Sequence, residues 1–89
     1  MRMVRYTKKF EKDVKLAKRR GLVTERLWTL ISRIAGNEPL EHRFRPHKLS
    51  GEWADCWECH IAPDWLLIWR DEGEVLTFLR TGTHADLFG

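Results

Sequence analysis

Eighty-nine residues are enough for one compact domain, expected to span 1–89, and far too few for two. A chain that is 43% hydrophobic and 33% charged excludes a disordered tail, and no stretch approaches the roughly 20 apolar residues of a membrane span. The net charge of +3 hides an asymmetry, because residues 1–48 carry 14 Lys and Arg against 5 Asp and Glu and the remainder 2 against 8.

Val4 to Tyr6 is β-prone, and Thr7 is placed to cap a helix that starts at Lys8. Phe10, Val14 and Ala17 recur at helical spacing, with lysines and arginines on the other faces, and Gly21 is a natural stop. Thr24 is expected to cap a second helix whose apolar stripe is Leu27, Leu30, Ile31 and Ile34, ended by Gly36-Asn37-Glu38-Pro39. From Pro39 to Gly51 the chain is polar and basic and reads as a long loop. Cys56 to Ile61 alternates, with Trp57, Cys59 and Ile61 on one face and Cys56, Glu58 and His60 on the other. Pro63-Asp64 turns into the apolar run Trp65 to Trp69, residues 71–74 form a hairpin turn, and Val75 to Arg80 is the last strand. Gly82 breaks it, leaving a short helical turn. The order β-α-α-β-β-β predicts an α+β fold, with a helix pair laid on an antiparallel sheet.

Met1 to Tyr6 lacks the apolar core of a signal peptide, so a cytoplasmic location and reduced thiols at Cys56 and Cys59 are expected. Those cysteines and His60 spell C-x-x-C-H, the pattern of haem attachment. Residues three apart on a strand point to opposite faces, which argues against a haem, zinc or redox role and for structural cysteines. No metal and no cofactor is expected.

Histidines are the better lead. His47, His60 and His84 fall in loops and at strand ends, where an imidazole is exposed and can exchange protons near neutral pH. RNA cleavage needs a base for the 2′-hydroxyl and an acid for the leaving 5′-oxygen. Asp64 at a turn adds a further base or a partner for a histidine, and Arg80 at a strand end suits a clamp on phosphate. The basic N-terminal portion suits a polyanion such as nucleic acid, although a solvated helix face has the same composition.

Three blocks, His47-Lys48-Leu49-Ser50-Gly51-Glu52-Trp53, His60 to Ile68, and Arg80 to Gly89, in combination resemble the YafQ branch of the RelE toxin family. The resemblance extends over the whole chain through the strand, Lys-rich helix and second helix of the N-terminal half. It implies a RelE-like fold and a ribosome-dependent mRNA interferase, an endoribonuclease that cuts the codon in the decoding site; the side-chain set itself can run the reaction without metal. It also implies silencing by a cognate antitoxin in a hetero-oligomer, for which the basic N-terminal portion suits an acidic wrap.

Position by position, His47, His60, Asp64 and His84 match the proton-transfer residues, Arg80 the phosphate-contacting arginine, and Trp65 and Phe88 the aromatic residues flanking the site. The assignment that follows makes His84 the general acid, Asp64 or His60 the base, and His47 a residue that orients substrate or shares a proton. Lys12, Lys15 and Arg19 are the expected RNA contacts of the first helix. Two departures stand out. Trp57 replaces an arginine common in relatives, with an altered groove charge or antitoxin contact as the expected effect, and Trp69 replaces a tyrosine, with an effect on packing. A non-catalytic RNA-binding or regulatory module is the rival class.

Overall fold

The computed structural model describes residues 1–89. Strand β1 (Met3–Tyr6) leads into helix α1 (Lys8–Arg19), where the Thr7 hydroxyl oxygen accepts the Phe10 N–H at 3.0 Å. The helix buries Phe10, Val14 and Ala17 and ends at Arg20, with Gly21 following at φ +81°. Helix α2 (Thr24–Ala35) differs from expectation at its start. Thr24 is its first helical residue, and the cap is the extended Val23, which makes no side-chain cap bond.

The remaining strands are β2 (His47–Lys48), β3 (Cys56–Ala62), β4 (Trp65–Asp71) and β5 (Val75–Gly82), and a short helix α3 (His84–Phe88) follows them. All five strands share one sheet in the order β1-β5-β4-β3-β2. The α+β architecture is as the sequence implies, with two differences in the sheet. β1 joins parallel to β5, pairing Met3 with Val75 and Tyr6 with Phe78, so the sheet is mixed. The 39–51 stretch is not all loop, because it contributes β2, which pairs antiparallel with Glu58 and Trp57. Two residues between Pro46 and Leu49 are too short for any period-two signal.

The helices cover one face of the sheet. Phe10, Val14, Leu27, Leu30, Ile31 and Ile34 pack there with Cys59, Ile61, Leu67, Trp69, Leu76 and Phe78. A smaller cluster of Cys56, Leu66, Ile68 and Leu87 forms on the opposite face, flanked by Leu49, Trp53 and Leu79. Burial on both faces explains the unbroken apolar run of β4, since alternation appears only where one face meets water. On this second, partly open face lie Glu58 and His60, opposite Ile68 and Leu66 of β4.

β1 stops at Tyr6 while β5 continues, so α1 covers the exposed strand edge. The Thr7 hydroxyl donates to the Leu79 carbonyl at 2.8 Å and the Asp13 carboxylate accepts the Thr81 N–H at 3.1 Å. Backbone groups that would otherwise face solvent unpaired are thereby satisfied, and the strand is held rigid up to the point where α3 begins. No helix is long and apolar enough to cross a membrane.

Candidate active site

Four elements bring the predicted histidines into one line on the partly open face. The turn between β3 and β4 carries Asp64, whose Oδ1 accepts both the His84 backbone N–H at 2.9 Å and its ring Nδ1–H at 2.6 Å. The His84 ring meets the His60 ring edge-on with centroids 5.7 Å apart, and His60 in turn lies 6.4 Å from His47. His84 is set by the start of α3, where Thr83 and Asp86 form a reciprocal capping box. The Arg20 guanidinium grips the same Asp86 at 2.7 and 3.2 Å, which ties α3 to the end of α1.

Because a carboxylate can only accept, the proton between Asp64 and His84 belongs to Nδ1, and Nε2 is left to face a substrate. The bonds from the His84 backbone and ring hold the Asp64 carboxyl below the usual carboxylate range. That makes it a weak base and a good orienting anion. Similarly, His47 Nδ1 lies 2.7 Å from the Arg45 carbonyl, so this nitrogen also carries hydrogen and Nε2 faces Glu58 Oε1 at 3.2 Å.

Glu58 was not among the residues singled out from sequence. It is only 5% exposed, and its Oε1 lies 3.2 Å from His47 Nε2 and 3.8 Å from His60 Nε2. Oε2 is buried with no hydrogen-bond partner. One carboxylate oxygen thus lies beneath two imidazoles and links β3 to β2. Its signal was present in the alternation of β3, which assigns Glu58 and His60 to one face.

Arg80, opposite Ile68 in the sheet, is paired with Asp13 of α1. Its Nε and Nη2 donate to Asp13 at 2.7 and 3.2 Å, which raises the guanidinium's already high pKa and leaves Nη1 for any anion. A two-pronged grip on phosphate through Nε and Nη2 would require Asp13 to be displaced. Trp65 corrects the sequence reading outright: it is 3% exposed, packed with the helix-side core, and its indole N–H donates to Thr81 Oγ1 at 3.0 Å. It has no face to offer RNA. Phe88 does, at 48% exposure, with its ring edge-on to Trp53 at 6.2 Å. Trp53 is a second aromatic residue at the site that sequence reasoning passed over, its only signal being its place in the first resemblance block.

Lys12, Lys15 and Arg19 are exposed on α1, which lies across the sheet from the histidines. None of them makes a hydrogen bond or ion pair with the histidine line. Cys56 and Cys59 are buried and face opposite sides of β3, in separate clusters. Burial, with the neighbouring Glu58 charge, pushes the Cys59 thiol up to about 12, so it stays protonated. The two substituted tryptophans turn out to be one feature. Trp57 and Trp69 are direct cross-strand partners, stacked at 6.5 Å and 14°, with Lys48 Nζ 5.6 Å from the Trp57 ring. Trp57 lies on the helix side of the sheet and so leaves the histidine face unaltered.

The chain is similar to known proteins along its whole length. Residues 2–89 match the family described as the bacterial toxin of the type II toxin-antitoxin system, YafQ. An Escherichia coli K12 relative named mRNA interferase toxin YafQ is 39% identical over 89 residues, covering 99% of this chain and 97% of the relative. The crystal structure of YafQ from E. coli BL21(DE3) superposes with a TM-score of 0.95 at 38% identity, over the whole of both chains. The toxin in the E. coli DinJ-YafQ complex gives 0.93 at 39% identity, again over the whole of both.

Proposed function

Since the chain belongs to the YafQ family of bacterial type II toxin-antitoxin toxins, we propose that it is an endoribonuclease that cuts mRNA on the ribosome by metal-independent acid-base catalysis. The whole of 1–89 acts as one domain. The observation that carries the reading is the Asp64-His84 pair abutting His60, which in turn shares Glu58 with His47. Two proton-transfer groups within one nucleotide's reach are what transphosphorylation requires.

In the proposed sequence, His60 removes the proton of the ribose 2′-hydroxyl, and Glu58 beneath it stabilises the imidazolium that results. The 2′-oxygen attacks phosphorus, the bond from phosphorus to the 5′-oxygen breaks, and His84 Nε2–H delivers a proton to the departing oxygen. The product ends are a 2′,3′-cyclic phosphate and a 5′-hydroxyl. Asp64 orients His84 and stabilises its charged form, a more fitting role for a weakly basic carboxylate than that of base. His47, on the same Glu58 oxygen, orients substrate, and Arg80 Nη1 faces the charge that develops on phosphate.

Ribosome dependence is supported by the exposed basic side chains of α1, which are suited to ribosomal RNA. The same charge suits a cognate antitoxin. The E. coli relative has been crystallised with DinJ, and a hetero-oligomer of that kind is the proposed resting state of this chain in the cytoplasm.

The test is cleavage of a defined mRNA by purified protein, with and without programmed ribosomes, in chelator titrated to spare ribosomal Mg²⁺. Cyclic-phosphate ends, ribosome dependence and chelator resistance are expected. Uniform 3′-hydroxyl ends, or activity that tracks a stoichiometric metal, would overturn the mechanism.

A further inference from the structure

We propose that an arginine-lined cleft along the open edge of β3 is a nucleotide subsite, taking the phosphate and base of an RNA residue that flanks the one being cut. The proposal rests on reading the histidine line as a nuclease site and adds to it a place where the strand is held.

β2 pairs with β3 only at Glu58 and Trp57, so Cys59 to Ala62 is paired with β4 on one side and has no strand on the other. Two clefts of about 400 and 390 Å³ open there, sharing Arg26, Arg43, Phe44 and Ile61, and His60 forms part of the wall of the second. Their size lies within the roughly 300–1,000 Å³ of ligand-holding sites. The space therefore borders a residue already assigned to the reaction. A strand whose sugar sits at His60 must leave the site, and this is an opening that begins at His60.

The walls are chemically suited to that strand. Four guanidiniums, of Arg26, Arg33, Arg43 and Arg45, line the clefts against the carboxylates of Glu25 and the bridging Glu41. Arg26 is anchored by donating to the Ile61 carbonyl at 2.8 Å, which covers the strand edge and fixes a positive charge over it. The Arg43 guanidinium lies 4.7 Å from the Phe44 ring centroid. Aromatic and guanidinium planes are the surfaces on which unpaired bases stack, with little dependence on sequence.

Arg45 makes no side-chain hydrogen bond or ion pair. Its backbone is left-handed, φ +48° and ψ +52°, a conformation that an arginine rarely adopts. That conformation is kept where the surroundings enforce it, and here the Arg45 carbonyl receives His47 Nδ1–H. One residue thus fixes the orientation of His47 through its backbone and offers an uncommitted charge to the cleft through its side chain. An acidic peptide of an antitoxin would also be attracted here, but continuity with His60 favours RNA.

Two substitutions separate these roles. Arg45→Gly keeps the left-handed backbone and its carbonyl while removing the guanidinium, and Arg43→Ala removes the stacked plane. Cleavage on programmed ribosomes is measured for wild type and the double variant with mRNAs that carry a single neutral methylphosphonate at each position flanking the cut. One flanking methylphosphonate is expected to raise the wild-type half-saturation concentration about tenfold, as for loss of a charged hydrogen bond. The double variant, with circular dichroism unchanged, should show a similar rise on normal mRNA and no further response to that methylphosphonate. The effect should fall on half-saturation rather than on the maximal rate. Wild-type half-saturation in the variant, or an unchanged response across the scan, overturns the proposal. A loss confined to antitoxin affinity overturns it in favour of the peptide. Failure of the wild type to cut any substrate is a separate result that removes the nuclease reading and the subsite with it.

Discussion

Asp64 holds His84 twice through a single oxygen, once at the backbone N–H and once at the ring Nδ1. The ring is fixed by its neighbour across the turn and supports no core, so removing it separates chemistry from stability. His84→Ala should fold as wild type and lose cleavage by about 10² to 10⁴. Asp64→Asn should lose less, since an amide oxygen still accepts but no longer stabilises the imidazolium. Single-turnover rates on programmed ribosomes, beside thermal unfolding, check both. Wild-type cleavage by a folded His84→Ala would end the catalytic assignment.

Glu58→Gln removes the buried charge beneath His47 and His60 while nearly preserving shape. The expected result is a maximal rate lowered by about tenfold or more with half-saturation little changed, because Glu58 is buried from any substrate. Imidazole resonances of His47 and His60 should both move in NMR spectra of the variant, and those of His42 should not. A silent Glu58→Gln would reduce the carboxylate to a packing residue.

Gly82 stands where a Cβ would come within 3.0 Å of Asp86 Cβ and Oδ2. Gly82→Ala should therefore push α3 outward, cost about 1 to 3 kcal/mol as an overpacked site does, and lower cleavage more than this loss of stability explains. Chemical denaturation and rate measurements on the same preparation would show it. Equal activity per folded molecule would mean that α3 gives way without carrying His84 with it.

Asp86 also sets a pH limit. The Arg20 hydrogen bond, then that from the Thr83 backbone, hold its carboxyl far below the usual range. A carboxyl lowered on folding stabilises the fold above its unfolded pKa of about 3.9, and that contribution fades as pH falls toward the lowered value. α3 should thus stay docked through mild acid. Arg20→Gln should bring its release to a higher pH, followed through the Thr83 and Asp86 amide resonances. Coincident acid transitions in the two proteins would contradict this.

Reversing Lys12, Lys15 and Arg19 together should weaken ribosome association and flatten its dependence on salt, while leaving single-turnover cleavage at saturation nearly unchanged. These side chains lie across the sheet from the histidines, which is why only association should respond. An unchanged salt slope would mark the face as merely solvated.

Much of this was legible in the sequence because helical and strand periods survive in single residues. Phe10, Val14 and Ala17 marked the buried side of α1, and the alternation of β3 separated Cys59 from His60. β2 was not legible, since a two-residue strand has no period. Trp65 was misassigned because a motif position says that a residue is required without saying whether it touches ligand or, as here, locks the backbone through Thr81. Glu58 was visible on the face of His60, yet an acidic residue in a strand reads as solvent-facing until its neighbours are known to cover it. Trp57 and Trp69 were read as independent departures, because cross-strand pairing joins residues twelve positions apart that no local pattern connects.

The parallel pairing of β1 with β5 joins the first strand in chain order to the last. Met3 pairs with Val75 and Tyr6 with Phe78, so β1 has no neighbour until β5 is made, and His84 lies further along still. β5 also separates β1 from β4, so without it the sheet falls into unconnected parts. A nascent chain halted anywhere before β5 therefore has an unpaired first strand and no His84. The pairing of Asp64 with His84 therefore forms only after β5 has been made.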